Sequence, residues 1–265
     1  MKYINQLRKI FLTPSSQLFN NNKIMQNMKK QNRRGFTLVE LMIVIAIIGV
    51  LASMIFPALS SVMGKGNQMT ATNNARNISS GWLTYSKTGT QQRKLNRPNI
   101  HEWAMVLARH AELNDPKIWC LEFDPAVMDK TGSGTPMPVA VANEVGTNWR
   151  LNAEFKAFPV SWEVANRTDP NVKEPNKRPL VWTRGLKSNG TWDEATGVFK
   201  DGGGVMAFAD AHVVAYTSLK DDNGEGVLSS YKGGRRTYNV RNAMEPTANI
   251  LKSKIDAAES SDSDE

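Results

Sequence analysis

One carboxylate stands inside a long apolar run. Phe36 to Phe56 is mostly apolar, and Glu40 is the only charged residue in it. From Leu41 to Gly64 no charged residue occurs at all. A carboxylate at the centre of a membrane helix costs about 2.5–3.5 kcal/mol on insertion scales, and less near an end. Such a residue is read first as functional, and it needs a partner. No Lys or Arg lies within a turn or two on its apolar side. The plainer alternative is a carboxylate near the interface that reaches out to water.

Other chemistry is sparse. Asp221-Asp222-Asn223-Gly224-Glu225-Gly226 offers oxygen ligands at alternating positions, as calcium loops do, with Asp221, Asp222, Asn223 and Glu225 as the candidates. An EF-hand would place Glu at loop position twelve, where Lys232 stands. A solvated turn is the competing reading. Cys120 with His110 or His212 is a conceivable nucleophile and base. No local motif supports that pair, and Cys120 in KIWCLEF reads as a small buried apolar residue. His101 and His110 are expected on the polar face of a helix, as surface residues rather than metal ligands. Trp162, Trp182 and Trp192 suit either a sugar site or the core of a small sheet. No GxGxxG, Walker or HExxH pattern occurs, so no enzymatic activity and no cofactor are expected, calcium aside.

The net charge of +8 is local. Residues 1–35 carry eight Lys and Arg and no acid; the other 230 residues carry 25 of each sign. A basic N-terminal segment is not a nucleic-acid face. Lys232, Arg235, Arg236 and Arg241 lie among Tyr231 and Tyr238, which can suit nucleic acid, but a solvated loop is the expected reading. A single cysteine excludes an intrachain disulfide and any zinc site built on several cysteines.

At about 1.5 Å per residue, some 20 residues span a hydrocarbon layer of about 30 Å. The run from Phe36 is long enough, and a helix satisfies its own backbone hydrogen bonds there. Lys29, Lys30, Arg33 and Arg34 precede it and only Lys65 follows closely, which places the N-terminus in the cytoplasm. A secretory signal peptide would have a shorter apolar region without an acid inside it.

Gly35-Phe36-Thr37-Leu38-Val39-Glu40, with its basic leader and apolar continuation, resembles the prepilin cleavage and methylation signature of type IV pilins and type II secretion pseudopilins. The resemblance covers about residues 33–60 and includes Gly49 and Pro57. It implies cleavage between Gly35 and Phe36 by a membrane prepilin peptidase, which also N-methylates Phe36. It gives Glu40 a partner, the Phe36 amine of a neighbouring subunit. It also implies other pilin or pseudopilin subunits and an inner-membrane assembly platform as partners. The location implied is the inner membrane, single-pass, with the C-terminal domain in the periplasm and assembly into a periplasm-spanning filament. The leader of 35 residues is long; starts at Met25 or Met28 would shorten it. Gly in a helix interior and a helix-breaking Pro make 49–57 the weak part of the helix. A calcium-stabilised C-terminal loop, as in major pseudopilins, fits the lack of a disulfide.

The expected fold is α+β and pilin-like: a long N-terminal helix, half membrane-spanning and half amphipathic, packed on a small antiparallel sheet. The expected divisions are a leader (1–35), a transmembrane or filament-core helix (36–57), a globular periplasmic domain (58–245) and a disordered acidic tail (246–265). Leu59, Val62, Met63, Met69, Ile78, Trp82 and Leu83 recur at helical spacing over 58–88. Asn99 caps a second helix over 100–113, with Ile100, Trp103, Ala104, Leu107 and Ala111 as its buried stripe. Residues 124–150 read as a long irregular loop. Strands are predicted over 158–164, 180–184 and 204–218, the last folded at Asp210-Ala211. Similar pseudopilin-like stretches carry Gly where Ala211 stands, which makes this turn strained. The function expected is that of a pseudopilin precursor, a structural subunit of a type II secretion pseudopilus. The alternative is a type IV minor pilin acting in adhesion.

Overall fold

The computed structural model describes residues 36–90 and 92–253. The leader, with Gly35, and residues 254–265 lie outside the described residues. The helices are α1 (Leu38–Lys87), α2 (Ile100–Ala111), α3 (Pro116–Trp119), α4 (Pro125–Gly132), α5 (Ala153–Lys156) and α6 (Val240–Ala243). The strands are β1 (Ala142–Val145), β2 (Asn148–Leu151), β3 (Trp162–Asn166), β4 (Pro179–Thr183), β5 (Gly204–Phe208), β6 (Val213–Tyr216), β7 (Leu228–Ser229), β8 (Arg236–Thr237) and β9 (Asn249–Leu251). The chain divides after Pro57 into two units, and both carry part of α1.

Among the described residues, the first unit consists of the apolar start of α1 and the two residues before it. Leu38–Phe56 is long and apolar enough to cross a membrane, and none of it is buried among the described residues. α1 runs through Gly49 and Pro57 without a break.

The second unit is built on a five-stranded antiparallel sheet in the order β6-β5-β4-β3-β9. α+β is therefore the observed class. β3, β4 and β5 are buried at every position because both faces are covered. On one face Trp162, Val164, Val205 and Ala207 join Ala71, Ala75, Ile78 and Trp82 of α1 and Trp103, Ala104 and Leu107 of α2. On the other, Trp182, Met206 and Phe208 pack with Leu186, Trp192, Leu219, Leu228, Val240 and Met244. Alternation along β5 divides Val205 and Ala207 from Met206 and Phe208, as the two-residue period of a strand requires. Ser79 of α1 donates its hydroxyl to the Phe208 carbonyl at 2.6 Å, and Asn74 Nδ2 donates to the Lys117 carbonyl at 3.0 Å.

Several expectations need correction. The buried stripe of α1 starts only at Ala71; Leu59, Val62, Met63 and Met69 are exposed. At Gly81 a Cβ would lie 2.6 Å from Leu113 Cδ1, so the bareness of that residue lets the segment after α2 pack closely. α2 has the expected cap, with the Glu102 N–H donating to Asn99 Oδ1 at 2.9 Å, but it ends at Ala111 with Glu112 in the left-handed region. His101 is buried, within hydrogen-bond distance of the Phe158 carbonyl at 2.9 Å and edge-on to Phe155. Residues 124–150 are not an irregular loop. They form α4, capped by Asp124, and the β1–β2 hairpin, which turns at Gly146. The tail does not start at 246, because β9 pairs antiparallel with β3, Val164 opposite Leu251. The globular domain therefore extends at least to Ser253, whose hydroxyl accepts the Val160 N–H.

Polar groups inside the unit are paired in ways that fix loops. Arg184, 2% exposed, forms an ion pair with the fully buried Asp124 and donates to the Thr196 carbonyl at 2.7 Å. Arg178 donates to the carbonyls of Lys173, Ser229 and Ala243 and stacks over Tyr231 at 5.1 Å. It thereby ties β7 and α6 to the start of β4. Glu163, on the second face, accepts from Trp182 Nε1 at 2.8 Å.

The turn at 193–197 that supports Arg184 has its own acid. Lys187 Nζ lies 2.6 Å from Asp193 Oδ2, and the N–H groups of Ala195 and Thr196 donate to Oδ1. The Lys187 bond first, then the backbone donors, lower this carboxyl from 3.8 to about 2. A lowered folded value means that the folded chain holds fewer protons than the unfolded one, so this stability is whole above pH 3.8 and drains as pH falls toward about 2. An Asp193→Asn variant is expected to show a flatter loss of stability across that window in denaturant titrations.

The β5–β6 hairpin forms as predicted, with the Phe208 N–H donating to the His212 carbonyl at 3.0 Å. Ala211 takes φ +68°, where a Cβ is strained. Ala211→Gly relieves that strain and is expected to stabilise the protein by about 0.5–1 kcal/mol. Denaturant unfolding followed by tryptophan fluorescence measures it.

Candidate functional site: the head of the apolar helix

The residues expected to do chemistry at the N-terminus lie at the head of α1. Phe36 is 73% exposed and precedes the first helical residue by two positions. Thr37 is the cap. Its backbone N–H donates to Glu40 Oε2 at 2.8 Å, and its hydroxyl donates to the same oxygen at 2.7 Å. In return the Glu40 N–H donates to Thr37 Oγ1 at 3.2 Å. These reciprocal bonds are a capping box, which satisfies donors that the first turn of a helix leaves open.

The carboxylate that lacked a partner in the sequence thus has one three residues away. The signal was present as Thr-x-x-Glu ahead of an apolar run. Thr37 is the functional residue that the spacing argument passed over. The box uses one oxygen of Glu40, and Oε1 has no partner among the described residues. The acid sits in the first turn, where the helix dipole favours negative charge. From this position it can hold the start of the helix and present a free oxygen to a cation.

The remaining candidates do not converge. Gly49 has nothing within 4 Å of where a side chain would begin, so the apolar unit itself does not require its bareness. Cys120 is fully buried, and burial pushes its thiol well above the usual range, which disfavours a nucleophile. His110 packs against Tyr85 with ring centres 5.3 Å apart, and burial together with Arg109, Arg93 and Arg97 lowers its pKa. His212 contacts Asp210 at 2.6 Å and stacks on Phe208. Each histidine is engaged away from Cys120. Trp162 and Trp182 are fully buried and Trp192 is 3% exposed, so they belong to the core and cannot line a sugar site.

In the Asp221–Gly226 loop, Asp221 Oδ1 accepts the N–H groups of Asn223 at 3.0 Å and Glu225 at 2.8 Å. The loop is closed on its own backbone, with Gly224 at φ +78°. Among the described residues no group of three or more His, Cys, Asp or Glu is placed to hold a metal ion.

Residues 30–56 match the prokaryotic N-terminal methylation motif. Over 141 residues, 53% of this chain and 74% of the relative, the sequence is 28% identical to the fimbrial protein EcpC of Eikenella corrodens. No solved structure matches the chain significantly. Together the motif and the relative bear out the resemblance to type IV pilins that starts at Gly35.

Removing the Thr37 hydroxyl takes away the acceptor of the Glu40 N–H and one of the two donors to Glu40 Oε2, while the backbone N–H bond to that oxygen stays. Thr37→Ala is expected to weaken the first turn of α1 by about 1 kcal/mol. Faster amide exchange at residues 38–41 in detergent micelles, with unchanged exchange in β3–β5, is the expected readout.

Proposed function

We propose that this pilin-like chain is the precursor of a filament-forming structural subunit. One observation carries the reading: a methylation motif leads into a helix whose apolar side chains nothing among the described residues covers, with one acid in its first turn. Cleavage after Gly35 would free the Phe36 amine, whose reference pKa of about 7.7–8.0 leaves it largely cationic near neutral pH. That amine, on a neighbouring copy, is the cation that Glu40 Oε1 would meet. In a medium of low dielectric an unmade charge pair is costly, so the pair would fix the register between subunits.

In this reading the uncleaved chain sits in the inner membrane with its basic leader in the cytoplasm and the second unit in the periplasm. Its partners are further pilin or pseudopilin subunits, the prepilin peptidase and an inner-membrane assembly platform. The work is mechanical, and no catalytic set is needed in the chain. Calcium in the Asp221–Glu225 loop remains a subsidiary proposal, tested by a shift in melting temperature on adding the ion.

The finer assignment is a type II secretion pseudopilin. The lone buried Cys120 supports it, since many surface pilins close a C-terminal loop with a disulfide. A surface pilus is the second reading, and the fimbrial name of the relative favours it. Deletion of the gene separates the two: loss of secretion with protein retained in the envelope marks a pseudopilus, and loss of long surface fibres marks a pilus.

Intact-mass analysis of the endogenous protein is expected to show loss of residues 1–35 and one added methyl group. Glu40→Ala is expected to be processed normally and to assemble poorly. Assembly of that variant at the wild-type level would remove the pairing role.

A further inference from the structure

The β7–β8 hairpin, α6 and the turn at 187–190 enclose an open pocket of about 950 Å³. Its chemistry is set by Asn189, Glu225, Arg235, Arg236, Tyr238 and Asn239. The two amides have their oxygens committed. Asn189 Oδ1 accepts the Thr191 N–H at 3.1 Å and the Thr191 hydroxyl at 2.8 Å, and Asn239 Oδ1 accepts the Arg241 N–H at 2.9 Å. A backbone N–H can only donate, so these bonds fix which end of each amide is oxygen. Each amide in the lining therefore has its NH₂ end left as the group that can still bond a ligand.

Arg235 and Arg236 add guanidinium donors. Both are exposed, and neither side chain has a hydrogen-bond or ion-pair partner among the described residues. The wall is therefore donor-rich. Glu225 is the one carboxylate in the lining, and its side chain likewise has no partner among the described residues. Tyr238 contributes an aromatic ring that is 39% exposed and has Lys220 Nζ 4.8 Å from its centre.

The floor is built rather than loose. A Cβ on Gly226 would fall 1.9 Å from the Thr237 carbonyl carbon, so only glycine lets this segment press on β8. The Lys220 bridge to Gly226 and the β7–β8 pairing hold both sides of that contact. Donors on such a frame lose little entropy when a ligand arrives.

We propose that this pocket binds a carboxylated saccharide unit, a ring acid of the uronate type. Forked guanidinium groups suit a carboxylate held by two hydrogen bonds. The amide NH₂ groups suit ring and hydroxyl oxygens. Glu225 accepts from a hydroxyl, which a bare oxyanion does not offer. A simple phosphate would use the arginines and be repelled by Glu225. A neutral sugar would leave the guanidinium groups unused. A hydroxylated acid uses the whole set. The inference stands independently of the filament reading.

The test uses the full chain in detergent and isothermal titration calorimetry with trigalacturonic acid. Galactotriose, inorganic phosphate and a short single-stranded DNA oligonucleotide are the comparisons. Binding of trigalacturonic acid with a Kd of about 1 mM or tighter is expected. The double variant Arg235→Gln/Arg236→Gln should weaken it by about tenfold or more, a change of about 1.4 kcal/mol. Glu225→Ala should also weaken it, because an acceptor is lost; a purely electrostatic patch would instead bind anions more tightly once that charge is gone. Tighter binding by Glu225→Ala overturns the proposal. So does equal competition by phosphate or DNA, equal affinity for galactotriose, or no detectable binding of trigalacturonic acid. Circular dichroism of each variant confirms that the fold is kept.

Discussion

The side chains of Leu38–Phe56 have no cover among the described residues. Each large apolar side chain left in water forgoes about 1.5–3 kcal/mol. More than a dozen stand exposed in a row here, an amount larger than the whole stability of an ordinary domain. Such a segment must be surrounded by hydrocarbon or by apolar side chains from other molecules. The capping box at its head is the same constraint on a smaller scale. Where water is scarce, the open N–H groups of a first turn need an acceptor, and Glu40 and Thr37 supply it from within.

Much of this was legible in the sequence, and the failures have physical reasons. The apolar run, α2 with its Asn99 cap, the central strands and the β5–β6 turn all rest on local signals: charge-free length, caps, β-branched and aromatic runs. His101 was misplaced because periodicity gives a face and not what covers it; residues near Phe155 and Phe158 close over that position. Met63 and Met69 follow the helical period yet stay exposed, since the sheet and α2 meet α1 only from Ala71 onward. α4 escaped notice because its start rests on one capping acid, Asp124, which also pairs with an arginine sixty residues later. At the N-terminal site the sequence shows no cation within a turn or two on the apolar side of Glu40, and the groups that meet it are uncharged, a hydroxyl and a backbone amide three positions back.

The second unit has no covalent cross-link, since Cys120 is its lone cysteine. Buried guanidinium groups take on the work of tying remote segments together. Arg178 reaches three carbonyls and the ring of Tyr231, and Arg184 joins α4 to the turn after β4. A lone pair of this kind contributes little net stability. Its value lies in geometry, because loops anchored to a fixed arginine fork stay in one arrangement over a sheet face that would otherwise be open.

The pairing of Val164 with Leu251 sets a condition on the birth of the molecule. Strand β3 is fully buried, yet one of its two neighbours is made more than eighty residues after it. A nascent polypeptide that has been synthesised only as far as the β7–β8 hairpin still shows a raw hydrogen-bonding edge to its surroundings. Such an edge invites the wrong strand, including the same strand from another chain. Closure of the sheet therefore waits until Asn249–Leu251 has been made, so the edge of β3 stays open through the synthesis of every strand between them.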